Sequence, residues 1–291
     1  MKKGMILMLL MAGIFGVSLF FTGCKKKDTT TTTTSSSYDT ETPADDALAD
    51  KTYTDVDNIG SEAVLNAGVN KTGGTYFYIN TQCATITFDS TSKPGTWVAT
   101  IDFGTTGCLC IDGKIRSGQI IVTWSGGRFM QKLTVINYTL KNYVVNGYKV
   151  AGSKTVTYLG PNSLGQPQWH IVVTGGQITR PIDGAVATYT SDRIRTWTAG
   201  YEKLYLMPND TFSIANGYNS VTDAGTSFKG VNYTVTINTP LYVTMNCKYF
   251  ITSGVLTLTE GKNTATINYG TDCSSSITGT INGYSFVIVR P

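Results

Sequence analysis

The sequence is poor in the residues that usually build catalytic and metal sites. It contains a single histidine, His170, in 291 residues. This scarcity excludes a metal site built on several histidines and leaves a Ser-His-Asp triad with one candidate base. A G-x-S-x-G motif, a Walker A loop and a dinucleotide-binding fingerprint are also missing from the sequence. We therefore expect no cofactor and no resident metal.

Charged residues are also few, at 14% of the chain, and they are unevenly distributed. The segment Asp39–Glu62 holds eight acidic residues and one base, Lys51, whereas from Ala63 onward seventeen bases face ten acids. An acidic stalk before a mildly basic body favours anionic glycans or lipid headgroups as partners. The alternative is an ordinary solvated surface without such a partner. We expect no nucleic-acid partner.

The first residues have the pattern of a secretory signal. Two lysines precede an apolar run from Met5 to Phe21, which is shorter than the roughly 20 residues of a spanning helix. Thr22-Gly23-Cys24 follows it and resembles the bacterial lipobox, with Phe21 where an aliphatic residue is commoner. The pattern predicts a signal peptide over residues 1–23 and a lipid on Cys24. The alternative is an uncleaved anchor with an incidental cysteine.

A polar segment separates this signal from the rest of the chain. Three lysines at 25–27 precede an unbroken run of threonine and serine from Thr29 to Ser37. Such a run has no apolar surface to bury, so we expect a flexible tether over residues 24–50. The lysines either bind anionic headgroups or are simply solvated. These features predict a lipid-anchored protein of the cell envelope, held at the outer membrane and facing the periplasm or the cell surface.

Cysteine number indicates an oxidising compartment. Five cysteines follow the lipid-bearing one: Cys83, Cys108, Cys110, Cys247 and Cys273. We expect Cys247 to pair with Cys273, and Cys83 to pair with either Cys108 or Cys110. One thiol is then left free or joined to another molecule. A metal site on Cys108-x-Cys110 is an alternative, but it lacks a second pair or a nearby histidine.

Hydrophobic periodicity predicts an all-β fold after a short helix. Residues 51–72 form the predicted helical lead-in, in which 61–67 would make two turns between Gly60 and Gly68. From residue 73 onward, apolar and polar residues alternate with period two, as in Tyr233–Ile237, which is typical of antiparallel sheet. Asn146-Gly147 and Asn282-Gly283 predict two-residue hairpins.

This pattern predicts an antiparallel meander of a dozen or more strands over residues 73–291. A curved open sheet, a sandwich and a barrel all remain as alternatives. Sub-units over 73–200 and 201–291 are a further option, because Ala99–Thr105 is echoed by Ala265–Thr271 and a cysteine follows each heptad. Convergence on one kind of strand and corner is the other interpretation of this echo.

Several motifs accompany the lipobox and tether: Thr100-Ile101-Asp102-Phe103-Gly104, Cys108-x-Cys110-x-Asp112-Gly113, Arg116-Ser117-Gly118, Tyr143-Val144-Val145-Asn146, Trp197-Thr198-Ala199-Gly200, and Asn268-Tyr269-Gly270 before Cys273. Together they resemble a family of uncharacterised lipoproteins of Bacteroidetes-type bacteria. The resemblance covers nearly the whole chain after the signal. It implies an envelope address and an all-β fold, and it brings no activity.

The aromatic residues give the main functional prediction, a non-enzymatic binding or scaffolding protein. Arg193, Arg195 and Trp197 share one strand face by parity, so they predict a patch for a glycan, a lipid headgroup or an envelope protein. The alternative places Trp197 in the core and pairs the arginines with Asp192 and Glu202.

An enzymatic alternative rests on carboxylates. A glycan hydrolase would need two of them in one cleft, about 5–10 Å apart, and the candidates are residues such as Asp102 and Asp192. His170 lies in a strand on the face opposite Trp169, where a structural role is expected.

Overall fold

A computed structural model gives the structure of the chain. It describes residues 40–67, 83–92, 95–125, 134–202, 209–218, 223–244, 246–247, 251–274 and 276–289. The signal peptide, Cys24 and most of the tether lie outside these residues, so the predicted lipid anchor stays a prediction. Within the described residues, no helix is both long and apolar enough to cross a membrane.

One helix and fifteen strands make up the described fold. Their bounds are α1 (Glu41–Ala67), β1 (Thr85–Asp89), β2 (Thr96–Asp102), β3 (Cys108–Leu109), β4 (Ile115–Ser125), β5 (Val135–Val145), β6 (Tyr148–Pro161), β7 (Pro167–Thr179), β8 (Val186–Ala199), β9 (Thr211–Asn216), β10 (Asp223–Thr226), β11 (Asn232–Thr244), β12 (Ile251–Glu260), β13 (Asn263–Asn268), β14 (Ser276–Ile281) and β15 (Tyr284–Val289). The predicted all-β meander with a dozen or more strands is confirmed.

The fifteen strands belong to one antiparallel sheet, in which successive strands are neighbours. The short β3 pairs only with β4, and β9 and β10 both lie between β8 and β11. β8 ends at Ala199 and pairs with both β9 and β10, so the described sheet continues across residue 200. The optional sub-units over 73–200 and 201–291 stay a prediction. Among the described pairings none joins β15 to β1, which fits the open-sheet alternative.

Both predicted hairpin turns are confirmed by backbone geometry. Asn146 and Gly147 have φ angles of 48° and 84°, and Asn282 and Gly283 have 49° and 87°. A type I′ turn needs positive φ at both central residues, which asparagine and glycine tolerate best. These turns fix the β5–β6 and β14–β15 registers.

The helix is the main correction to the sequence analysis. It begins at Glu41, so residues 41–50 are helical and not part of the tether, and it spans 27 residues instead of a short lead-in. Thr40 is a favoured residue type before a helix, and Pro43 is tolerated because a first-turn residue needs no N–H partner. Residues 68–72 of the predicted lead-in lie outside the described residues.

The helix is buried against one face of the sheet. It packs against β2, β4, β5 and β8 and shares one hydrophobic core with them. Its apolar contacts recur at Ala49, Tyr53, Val56, Ile59 and Ala63, each at most 2% exposed. Six of its seven acidic side chains are buried as well: Asp45, Asp46, Asp50, Asp55, Asp57 and Glu62. The acidic stalk of the sequence is therefore an internal element.

Two contacts fix how closely the helix approaches the sheet. A Cβ at Gly60 would overlap the ring of Tyr138 and would lie 2.9 Å from Val122. The Tyr53 hydroxyl donates to the carbonyl of Ala151 (2.5 Å) and accepts from the amide of Gln177 (2.9 Å). These backbone groups lie beside a register shift in the β6–β7 pairing. The Tyr53 hydroxyl therefore provides hydrogen bonds to backbone groups at a point where the pairing of the two strands is irregular.

Two disulfides each close a β-hairpin at its open end. Cys83–Cys108 brackets β1 and β2, and Cys247–Cys273 brackets β12 and β13. Both are consistent with the predicted pairings, and Cys108 is the member of its pair that bonds to Cys83. The echoed heptads also share a corner: Asp102 Oδ1 accepts from the Gly104 amide, and Asn268 Oδ1 accepts from the Gly270 amide, both at 2.8 Å.

Candidate functional site

The predicted binding face of Arg193, Arg195 and Trp197 lies in the interior. The three residues do share one face of β8, but that face points toward α1. Arg193 is 5% exposed and Trp197 2%, and Trp197 stacks on Phe212 with ring centroids 5.4 Å apart. The prediction of an accessible patch is therefore wrong. The alternative of a core Trp197 is correct, although the arginines have partners other than Asp192 and Glu202.

Arg193 and Arg195 bind the acidic helix. Arg193 pairs with Asp50 of α1 and, at 2.6 Å, with Asp223 of β10. Arg195 pairs with Asp57 at 2.6 Å. Burial opposes ionisation of Asp57, but the attraction of Arg195 and Lys154 lowers its pKa to about 2. The basic surplus of the body and the acidic stalk thus neutralise each other inside one molecule.

A second cluster joins α1 to the β3–β4 turn. The fully buried Arg116 lies 2.7 Å from Asp55 and 2.6 Å from Asp112, and it also donates to the hydroxyl of Tyr143. Lys114 lies 2.7 Å from Asp55 as well. Asp112 and Arg116 belong to the block that carries the family resemblance, so this block has a clear structural role in holding the helix.

Asp46 is an exception among the buried carboxyls. It is 2% exposed, and burial raises its pKa to about 7, since the nearby Arg193 offsets only part of the desolvation cost. Its Oδ1 has no hydrogen-bond partner in the described residues. A carboxyl in this state is protonated or charged depending on pH near neutrality.

The carboxylate pair of the enzymatic alternative is not brought together. Asp102 of β2 and Asp192 of β8 are five strand spacings apart, about 24 Å along the sheet. Asp102 accepts from Gln119 (2.7 Å) and the Gly104 amide. Asp192 Oδ1 lies 2.6 Å from Nε2 of His170, whose ring meets Tyr218 edge-on. Among the described contacts of His170 no serine appears, so these residues form no triad.

An open groove beside the first half of α1 is a candidate ligand site. It has a volume of about 320 Å³ and lies between the helix, the β5–β6 hairpin, Lys114, Arg180 and Phe228. Its apolar lining consists of Ala44, Leu48, Val145, Tyr148 and Phe228. Ligand sites typically combine such an apolar lining with a few polar groups at the rim. Sequence reasoning missed this site, because its residues come from five separate segments.

The rim of the groove is ionic but balanced. Three carboxylates and three cations line it: Glu41, Asp45, Asp55, Lys51, Lys114 and Arg180. Arg180 lies 3.1 Å from Glu41 and 2.7 Å from Asp183, and its guanidinium carbon is 4.6 Å from the centre of the Phe228 ring. Hydrogen bonds from Lys229 and Arg180 lower the pKa of Glu41. The rim therefore presents fixed polar groups without a large net charge.

The first cysteine cluster has the spacing of a metal site but not its chemistry. Ligand atoms of Cys83, Cys108 and Cys110 all lie within 4.8 Å of one another. Zinc and similar ions bind thiolates, and the Cys83–Cys108 disulfide leaves Cys110 as the remaining thiol. The cluster in this state does not fit a metal ion.

Comparison of the chain with family models, with curated proteins and with solved structures finds no match. The resemblance to envelope lipoproteins therefore remains a prediction from sequence motifs.

Proposed function

We propose that this protein is a lipid-anchored envelope protein that binds a neutral glycan in the groove beside α1 without catalysing a reaction. The anchor is supported by the lipobox-like Thr22-Gly23-Cys24 alone. The binding function is supported by one observation above all, an open groove in which Tyr148 and Phe228 lie next to a charge-balanced rim. Aromatic rings provide a flat apolar face, and the rim provides donors and acceptors at fixed positions.

Charge balance decides between ligand classes. A groove for phosphate or acidic sugars should carry surplus cations, whereas here three cations face three carboxylates. Arg180 and Lys114 are held in ion pairs, so an anionic ligand that binds either of them would have to displace a carboxylate partner. A neutral sugar ring needs only hydrogen bonds to the carboxylate lone pairs and N–H groups of the rim that the ion pairs leave unused. The groove thus favours neutral glycans over the anionic partners expected from composition.

The state of the carboxylates argues for binding without hydrolysis. A glycosidase general acid needs a raised pKa so that it is protonated at neutral pH. The pKa of Glu41 is lowered, and Asp55 is paired with both Arg116 and Lys114 at 2.7 Å. Glu41 therefore lacks the environment of a proton donor, and Asp55 is held between two cations.

A glycan array carrying neutral and acidic oligosaccharides tests the binding function. We expect the wild type to bind neutral glycans, and Tyr148→Ala and Phe228→Ala to weaken binding at least tenfold, about 1.4 kcal/mol. Tyr242→Ala is the matched control, because Tyr242 is an exposed tyrosine of β11 outside the groove. Binding only to acidic glycans, or equal binding by all three variants, would refute the proposal.

The anchor is tested separately by labelling cells with an alkyne fatty acid. The wild type should incorporate label and Cys24→Ala should not. Equal label in the two proteins would refute the anchor while leaving the groove untouched.

A further inference from the structure

The two disulfide-closed hairpins differ in one respect that matters for chemistry. Cys83–Cys108 and Cys247–Cys273 have nearly the same sequence separation, 25 and 26 residues. Only the first lies beside a further cysteine among the described residues, the buried Cys110. The second hairpin therefore serves as an internal reference for a disulfide without a neighbouring thiol.

Two cysteines compete for the same sulfur in the first hairpin. Cys108 and Cys110 are two residues apart around Leu109, so both side chains point to the same side of the segment. Cys108 is bonded to Cys83, and Cys110 Sγ lies 2.6 Å from Cys83 Sγ. The Cys110 sulfur is therefore in direct contact with the disulfide sulfur that an exchanging thiolate has to attack.

We propose that Cys83, Cys108 and Cys110 form an intramolecular thiol–disulfide exchange site with two disulfide isomers. The Cys110 thiolate bonds to Cys83 Sγ, the Cys83–Cys108 bond breaks, and the electron pair leaves on the sulfur of Cys108. Cys108 then takes up the proton that Cys110 released. One disulfide and one thiol exist before and after the step, so no oxidant or reductant is consumed.

The exchange moves a thiol from the interior toward the surface. Cys110 is 3% exposed, whereas Cys108 is half-buried and its neighbour Leu109 is 67% exposed. In the second isomer the free thiol is therefore at Cys108, where it can reach an external thiol, disulfide or alkylating agent. The site would make this hairpin responsive to redox partners while β12–β13 stays closed.

The surroundings of Cys110 set how fast the exchange runs. Burial raises the pKa of Cys110, and a hydrogen bond with Arg116 opposes this effect. Asp112, Asp55 and Tyr143 face the same group, and the two carboxylates disfavour its thiolate. Because only the thiolate attacks, the exchange should be slow near neutral pH and should accelerate about tenfold per pH unit below the pKa.

Alkylation of the folded protein tests the proposal. Wild-type protein is incubated with iodoacetamide at pH 6, 7 and 8, quenched in acid and mapped as peptides without reduction. We expect label on Cys108 together with a Cys83–Cys110 peptide, both increasing with pH, and an intact Cys247–Cys273 peptide. Label only on Cys110, or no label on either residue at pH 8, would overturn the proposal.

Two serine variants keep the test decisive. Cys110→Ser removes the attacking thiol, so labelling of Cys108 should disappear while the Cys83–Cys108 peptide remains. Cys108→Ser should show a Cys83–Cys110 disulfide formed in the folded protein. If Cys83 and Cys110 are both alkylated in Cys108→Ser, these two cysteines do not form a disulfide in the folded protein. The second isomer then does not exist, and the proposal fails.

Discussion

The strands around α1 and the strands near the C-terminus belong to the same antiparallel sheet but bury different kinds of side chain. Around the helix, buried charged residues of the sheet meet buried carboxylates: Arg116, Lys154, Arg193 and Asp223. In β12–β14 the buried side chains are aliphatic: Ile251, Leu256, Leu258, Ala265, Ile267, Ile277 and Ile281. The difference shows that the alternation of apolar and polar residues specifies which face of a strand is buried. Whether the buried residues are charged or aliphatic depends on the element that packs against that face.

The ionic half gains specificity more than stability from this arrangement. Desolvating two charges costs about as much as their attraction returns, so buried pairs add little net stability. Removing one partner is costly, however, because the other is left charged and buried. Asp55 pairs with β4, whereas Asp50 and Asp57 pair with two positions of β8, so together they fix the rotation and register of α1 against the sheet.

The largest expected effect is from breaking one of these pairs. Arg193→Met leaves Asp50 and Asp223 buried without their cation, so we expect a loss of about 3–5 kcal/mol in unfolding free energy. Urea unfolding followed by circular dichroism measures it. A loss below about 1 kcal/mol would contradict an ionic interior.

A double variant and an aliphatic control sharpen this result. Adding Asp223→Asn to Arg193→Met should restore part of the lost stability, because one uncompensated charge is removed. Leu258→Ala should cost about 2–5 kcal/mol through a cavity, and Asp223→Asn should simply add to it. If the losses of unfolding free energy add in both double variants, Arg193→Met with Asp223→Asn and Leu258→Ala with Asp223→Asn, the proposed difference between the two regions is refuted.

The next effect is a dependence of stability on pH. Burial raises the pKa of Asp46 to about 7, so the folded protein holds a proton that the unfolded chain releases near pH 4. Stability should therefore fall as pH rises from about 4 to 7. Asp46→Asn should remove this fall in urea midpoints measured across that range, and an unchanged slope in the variant would contradict it.

Asp57 has the opposite dependence. Its pKa is lowered to about 2, so its contribution is present above about pH 4 and is lost as pH falls through 2. Together with Asp46 it predicts maximum stability in mildly acidic solution. Leu258→Ala should shift the whole profile down without changing its shape, since leucine does not titrate.

A smaller effect is expected from the close approach at Gly60. Alanine in place of glycine normally stabilises a helix by roughly 1 kcal/mol. Here the added methyl would overlap Tyr138, so we expect Gly60→Ala to destabilise the fold by about 1–3 kcal/mol. Thermal unfolding provides the measurement, and a higher melting temperature would show that α1 does not pack this closely.

The smallest effect is expected at an exposed pair. Arg180 lies between Asp183 and Glu41 at the solvent-facing rim of the groove. Exposed ion pairs contribute little because water and salt screen them. Arg180→Gln should leave the urea midpoint close to that of the wild type, in contrast to Arg193→Met. A loss comparable with that of Arg193→Met would remove the distinction between buried and exposed pairs.

The strands and turns could be predicted because local signals determine them. Alternation identifies the buried face of a strand, and Asn-Gly at 146–147 and 282–283 specifies the hairpin turn directly. Disulfide partners were partly predictable for a different reason, because five cysteines allow few pairings. Only the choice between Cys108 and Cys110 needed coordinates.

The helix and the groove could not be predicted in the same way. A stripe at Ala49, Tyr53, Val56 and Ala63 does have helical spacing, but eight acidic residues in the same segment indicated a solvated stalk. Their burial depends on cations that lie 61 to 143 residues away in the sequence, such as Arg116 for Asp55 and Arg193 for Asp50. Neutralisation between residues so far apart in the sequence leaves no local sequence pattern. The inward orientation of Arg193 and Arg195 could not be predicted for the same reason.

Hydrogen exchange of the α1 amides tests the central claim that this acidic segment is an interior element. Mass spectrometry on peptides covering residues 45–64 compares their protection with that of β7 and β8. We expect exchange through global unfolding only, so the helix and the central strands should lose protection together as urea is added. Exchange of residues 45–64 at the rate of an unstructured chain, with β7 and β8 still protected, would contradict the account.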